Sequence, residues 1–440
     1  LVGALGLIIL FVPIKRYKFA GVELPFDLEP YRVAVAVVVS LWLSSLLIDR
    51  RVALRRSGLE SPFLLSGIAV VGSIVTNPGS IAASGVATNV TKELLFLLSF
   101  FLVFYLVVSV VQTPESIHVV LKTLVAGAAI VALFAIIERR TRYNVFNHLQ
   151  PLFPLLEFRG ELDEAGIKRG SGLRTYASAQ HPIALGAMFA MLTPLAFYLF
   201  HFTRRAIWAV ASVLIVFGTL TTISRTSITM LAMALIVFFV LQPASVKKLL
   251  PLVLPALIVV HLALPGVIGS LRQSFFPPQG LIDQQQVNRG RVSGERLDPQ
   301  FAIIRGQPAF GQGYGTRQTT GLEKNADVLD NQWLGTAVET GLVGMFAWAW
   351  IFVRFVRRAG RAAKADSSDR GWLLTAFAAS AAAFPVGMFT FDAFSFIQAT
   401  FVLFMLLSLG ASTLAWRGGW PENRPEPGHG SPPADRIASA

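Results

Sequence analysis

The sequence predicts an all-α polytopic membrane protein. Of its 440 residues, 54 % are hydrophobic and only 14 % are charged, whereas an average soluble domain carries roughly 25 % charged residues. The apolar residues gather into separate runs, many close to the ~20 residues that a helix needs to cross a bilayer. Mean hydropathy is +0.60. The chain has no cysteine, which excludes a disulfide framework, a thiolate metal site and a cysteine nucleophile. The net charge of +13 does not point to nucleic acid, because charges on such a chain are first sorted by membrane side.

Length alone gives about twelve spans. They centre on 1–12, 31–48, 61–76, 93–112, 116–137, 182–202, 206–223, 227–242, 249–268, 331–353, 371–390 and 394–415. The chain opens on Leu1, so Leu1–Val12 is expected to be the stump of a first span; a cleaved signal sequence is the alternative. No internal repeat relates the two halves, which disfavours transporter folds built from duplicated bundles.

Lysine and arginine in the connections set the orientation. Arg50, Arg51, Arg55 and Arg56 follow the second span, Arg204 and Arg205 the sixth, and Lys247 and Lys248 the eighth. Arg354, Arg357, Arg358, Arg361 and Lys364 follow the tenth. With twelve spans all four clusters fall on one side, the cytoplasmic one. Lys15, Arg16 and Lys18 fall on the other and are outvoted. The expected organisation is then 1–268 with nine spans, a large outer loop 269–330, three spans over 331–415, and a disordered cytoplasmic tail 416–440 rich in Pro, Gly and Ser. A second outer segment covers 138–181.

The outer segments prefer arginine to lysine. Guanidinium presents a planar fork that pairs two phosphate oxygens at once, although pairing with local carboxylates or lipid headgroups is equally natural for any one arginine. Arg225, in Thr222-Ile223-Ser224-Arg225-Thr226-Ser227, stands between two apolar runs with almost no loop. An ionisable residue at the membrane boundary is a functional candidate, with snorkelling as the alternative. Arg169-Gly-Ser-Gly-Leu-Arg174 leads to His181-Pro182 at the sixth span, and its glycines allow a ligand close to the backbone. The stretch from Arg296 to Arg305 reads as a short amphipathic helix ending in Gly311-Gln-Gly313-Tyr-Gly315. That turn offers backbone N–H groups to a phosphate, yet it lacks the strand and the Gly-Lys-Ser/Thr end of a nucleotide loop. Asp330 and Asn331 mark the start of the tenth span, where they suit an N-cap; Asp330 also suits a general base at the membrane surface.

The order of these motifs resembles the O-antigen ligase and O-antigen polymerase superfamily. It runs from the arginine-rich approach with His-Pro, through Ser-Arg between spans and Arg-Gly-x-Pro with Gly-x-Gly-x-Gly in a long outer loop, to Asn331-x9-Gly341-x-x-Gly344. The resemblance covers about 169 to 344. It implies an integral-membrane glycosyltransferase with about twelve spans and a large outer loop between the ninth and tenth. Such an enzyme moves a glycan from a polyprenyl (undecaprenyl) diphosphate carrier to a sugar hydroxyl of a glycan or glycolipid acceptor, on the outer face of the bacterial inner membrane. It implies no metal, cofactor or nucleotide sugar. Arg225 matches the family's arginine between spans, and Arg296 or Arg305 its loop arginine. Asp330 falls where the ligases carry a catalytic histidine. The spacing to Gly341 is kept, but aspartate replaces histidine, which leaves a polysaccharide polymerase, or a ligase for another polysaccharide, equally open. His181 is the alternative base, with an unperturbed pKa near 6.5.

The chemistry is coherent without the family. Arginines stabilise a departing diphosphate, a base and precise orientation activate the acceptor, and apolar spans accommodate a polyprenyl tail among membrane lipids. No Asp-x-Asp pair stands where a sugar transferase holds its ion. A lipid-linked glycan flippase would share the basic outer face but needs polar residues through its spans, which are nearly free of interior charge. A structural envelope subunit has no positive feature, and a peptidoglycan-type polymerase is a nearby enzymatic alternative.

Overall fold

The computed structural model describes residues 1–21, 28–50, 52–160, 168–169, 172–243, 294–317 and 329–421, with 269 and 272 singly. For 168–169, 172–173 and 294–297 the description is of backbone alone. Helices dominate: α1 (Val2–Phe11), α2 (Pro30–Ile48), α3 (Glu60–Val75), α4 (Pro78–Ala83), α5 (Ala87–Val110), α6 (Pro114–Thr141), α7 (Pro182–Thr203), α8 (Ala206–Thr221), α9 (Arg225–Leu241), α10 (Gly294–Gly306), α11 (Gln332–Ala365), α12 (Asp369–Gly387) and α13 (Ile397–Ala415). Among the described residues six of these (α2, α5, α6, α7, α11 and α13) are long and apolar enough to cross a membrane. α1, α3, α8 and α9 are shorter apolar helices. α12, expected as a span, falls outside both groups; it is rich in alanine and packed inside the bundle. The ninth expected span, 249–268, lies outside the described residues, as do Lys247 and Lys248 and the tail from 422.

Local chemistry explains where helices begin. Proline occupies the first turn of α2, α6 and α7, where its missing N–H costs nothing. Thr113 caps α6 through a reciprocal capping box with Ser116. α7, α12 and α13 are buried along most of their length, so they form the centre. α2 instead leaves Val37, Leu41 and Leu47 exposed, an apolar face suited to lipid. Rings of Phe63, Phe100, Phe104 and Phe404 bind α3 and α5 to α13, one pair edge-on and two stacked.

Three details go beyond what the sequence showed. Two short antiparallel pairs join the helices: β1 (Tyr17–Phe19) with β2 (Leu156–Phe158), and β3 (Lys168–Arg169) with β4 (Gly172–Leu173). The basic cluster Arg354–Lys364 is not a connection, because α11 continues through it to Ala365. Arg354 Nε reaches back 2.7 Å to the Gly58 carbonyl and Arg358 3.2 Å to that of Ser57. The dissenting cluster at 15–18 is structural: Arg16 is buried, Lys18 pairs with Glu157 at 3.2 Å on the neighbouring strand, and burial, with Lys92 nearby, pushes the Lys15 ammonium below its usual range. Counting charges by side assumes charges that face water; Arg16, at the centre of the cluster, does not.

α11 is broken. Gly341 has φ 68° and ψ −170°, outside helical geometry, and segment 307–317 fills the gap. Gln312 N and Gly313 N donate to the carbonyls of Val338 (2.9 Å) and Glu339 (3.1 Å), while Leu342 N donates to the Pro308 carbonyl (2.8 Å) and Val343 N to that of Ala309 (3.3 Å). Backbone groups freed by the break are thus paired again inside the bundle, as such a break requires. The Gly311–Gly315 turn therefore does not stand open to cradle a phosphate. Its glycines bring the chain against α11 and α5, since a Cβ at Gly311 would strike the Val338 carbonyl and one at Gly315 the backbone of Val90. Gly341→Ala is expected to lower the thermal unfolding midpoint clearly. It adds roughly 1–3 kcal/mol of backbone strain, because this φ/ψ region is open essentially to glycine alone, and drives a methyl into the Ala309 carbonyl. An unchanged midpoint in a thermal scan would show that the break tolerates a side chain.

Candidate active site

Three helices begin at one place. The connection between α12 and α13, residues 388–396, is the hub. Gln332 N donates to the carbonyls of Met388 (2.8 Å) and Phe391 (3.2 Å), and Gln332 Oε1 accepts from Phe394 N at 3.0 Å. Asp392 accepts from the backbone N–H groups of Leu329 and Asp330, both at 3.1 Å. Thr226, in the first turn of α9, meets Thr390 hydroxyl to hydroxyl at 2.8 Å. From α7, Gln180 Nε2 donates to the Ser395 carbonyl at 2.9 Å, and the His181 ring lies 5.5 Å from that of Phe396.

Each helix is capped by a polar side chain. His181 Nδ1 accepts from Ile183 N at 3.2 Å, Ser224 Oγ from Ser227 N at 3.3 Å, and Asn331 Oδ1 from Leu334 N at 3.1 Å. Asn331 rather than Asp330 is thus the cap of α11. Asp330 precedes it with φ 50°, and Ile223 precedes the Ser224 cap with φ 45°. Neither is glycine. A β-branched residue such as Ile223 rarely adopts positive φ, and strain of this kind clusters at functional sites. Arg225 opens α9, half-buried.

A buried ionic group lies beside the hub. Arg317, at 4 % exposure, sits 3.3 Å from Asp392 and 3.8 Å from Glu339. With Glu93, Tyr314, Gln332, Phe394 and Ser395 it lines a cavity of about 20 Å³, room for one water. Burial, reinforced by Glu93 and Glu339, pushes the Tyr314 phenol far above its usual range, so it stays neutral.

The expected residues divide. His181, Arg225, Asp330 and Asn331 meet around the hub. Arg174 supports it from behind: it is buried, and its Nε donates to the Thr222 carbonyl at 3.1 Å, next to the turn that carries Arg225. Arg305 is exposed on α10, and among the described residues no hydrogen bond or ion pair joins it to the hub. The side chains of Arg169 and Arg296 lie outside the described residues. Sequence reasoning missed Arg317, Glu339 and Asp392. Asp392 carried a usable signal: like Arg225, it is an ionisable residue in an apolar run, Phe389-Thr390-Phe391-Asp392-Ala393-Phe394.

The class is therefore a multi-pass membrane protein with a polar site where helix N-termini converge at one end of the bundle. Residues 210–349 match the family model described as O-antigen ligase, so this region of the chain is similar to that family. The match takes in Arg225, Arg296, Arg305, Asp330 and Asn331, while Arg169, Arg174 and His181 precede it. No curated protein matches the chain.

Proposed function

We propose that this protein transfers a glycan from a polyprenyl diphosphate carrier to a sugar hydroxyl of a glycan or glycolipid, at the outer face of a bacterial inner membrane. The observation that carries the reading is the convergence of three capped helix N-termini with Arg225 in the first turn of α9. Helix N-termini favour anions through their N–H groups and dipole, and each is worth about 0.3–1 kcal/mol when exposed and up to ~2 when partly buried. Arg225 adds a charge-assisted fork. Together they suit a diphosphate that gains charge as it leaves.

The acceptor hydroxyl gives its proton to Asp330. Its oxygen forms the new glycosidic bond as the bond from the sugar carbon to the diphosphate oxygen breaks, and the electron pair stays on the diphosphate. His181 is the second candidate for the proton. Arg296 and Arg305, the loop arginines that the resemblance implies, are further candidates to contact the diphosphate once the donor is bound. The face follows from charge: the Arg204 and Arg354–Lys364 ends of α7 and α11 lie opposite the site, and basic ends stay cytoplasmic. Aspartate in place of histidine favours neither ligase nor polymerase.

Two measurements test the reading. Mass spectrometry of the purified protein is expected to find a polyprenyl diphosphate lipid, and purified protein in lipid nanodiscs is expected to transfer its glycan. Turnover is expected to persist in excess EDTA, because arginines and helix N-termini neutralise the leaving group. Turnover lost in EDTA and restored by Mg²⁺ or Mn²⁺ would overturn this mechanism.

A further inference from the structure

Behind the hub lies a second buried charged group that transfer chemistry does not use. Arg16 and Glu138, each 3 % exposed, close on one residue, Ala177, Glu138 at its N–H and Arg16 at its carbonyl. Glu138 accepts the N–H of Ala177 at 2.8 Å and that of Tyr176 at 3.4 Å. Arg16 donates to the carbonyls of Ala177 and Ala179 and to Asn147 Oδ1, and its guanidinium lies 4.8 Å above the Tyr176 ring. Asn144 Nδ2 adds a further bond to the Ala177 carbonyl at 3.1 Å.

The peptide held this way is strained. Ala177 has φ 41°, a region that side chains disfavour and glycine accepts freely. The turn it makes redirects the chain. Before it, Thr175 Oγ1 bonds Thr221 Oγ1 at 2.7 Å and Arg174 bonds Thr222, behind Arg225. After it, Gln180 reaches Ser395 and His181 caps α7. One pinned turn thus sets two sides of the candidate site.

We infer that Arg16 and Glu138 are positioning residues, which hold Ala177 in its left-handed conformation and so aim the 174–181 segment at the Arg225 turn and at the 395–396 corner. The inference rests on the transferase reading for its kinetic arm and on geometry alone for its structural arm.

The test is Glu138→Gln in the full chain, alone and combined with Ala177→Gly. The carboxamide keeps one acceptor oxygen and loses the other. Transfer from a lipid-linked glycan is expected to lose about tenfold in kcat with KM for the donor changed less than about twofold, since small misplacements act on the reacting geometry. Hydrogen exchange is expected to rise about fivefold or more in the 174–181 peptide and nowhere else, the signature of a local opening. Adding Ala177→Gly is expected to bring both values back to within about threefold of the parent, because glycine needs no clamp to take this turn. Arg16→Lys is expected to show the same pattern, since it loses the fork.

Unchanged kcat in Glu138→Gln, exchange raised evenly across the chain, or no rescue by Ala177→Gly would each overturn the inference. A parent protein inactive on every lipid-linked glycan would instead defeat the transferase reading and leave the exchange arm to decide this one.

Discussion

Arg225→Ala is expected to lower glycan transfer by about 10²–10³-fold or more, the loss that follows removal of one preorganised stabiliser of transition-state charge, in a protein that still folds and inserts. The second half of that expectation comes from packing. Arg225 is half-buried in the first turn of α9, while that helix is held by the Ser224 cap and the Thr226–Thr390 bond. Truncation leaves both in place. Arg225→Lys keeps the charge and loses the fork, so it is expected to recover little. The measurement is turnover of a lipid-linked glycan in nanodiscs, beside a thermal scan that verifies folding. Parent-like turnover in a folded Arg225→Ala protein would remove this residue from the mechanism.

The second large effect concerns the proton. Asp330→Asn is expected to be nearly inactive, because an amide cannot accept the acceptor's proton, while Asp330→His is expected to retain part of the turnover with a shifted pH optimum. Asp392 holds position 330 through its backbone N–H and Asn331 supplies the cap, and neither contact uses the Asp330 side chain. Asparagine is also among the side chains that best tolerate the positive φ found here. General acid–base groups contribute roughly 10²–10⁴-fold, which sets the size of the loss to be measured. His181→Ala in the same assay separates the two candidates. Strong loss there with an active Asp330→Asn would move the base to α7 and leave Asp330 as the lead-in to a cap.

Six of the expected spans, at α2, α5, α6, α7, α11 and α13, were legible, because a long apolar run has few alternatives in a membrane. Helix starts were legible at His181-Pro182 and Asn331, where the residue types themselves supply caps. Arg225 was legible for a related reason, as a charge in an apolar context. The break at Gly341 was not. Glycine within a helix pattern does not say whether it permits close packing or a change of direction; here the difference lies in segment 307–317, some thirty residues upstream. Charge counting misread Arg16 and Lys15 because their partners come from elements far away in sequence: Asn147 and Ala177 for Arg16, Glu29 for the Lys15 backbone. Asp392 was hidden inside a span boundary, although the argument that found Arg225 applies to it equally.

The repaired break in α11 also bears on how such a chain can diversify. The chain does not first meet α11 at Asp330. It is already registered at 307–317, backbone to backbone, against the same helix whose start carries Asp330. Sequence upstream of Gln307 can therefore lengthen, shorten or change character while the exit of the loop arrives in the same register. The region behaves as a cassette with a fixed downstream clip. The contact between 307–317 and α11 is set by these backbone hydrogen bonds and not by what precedes it.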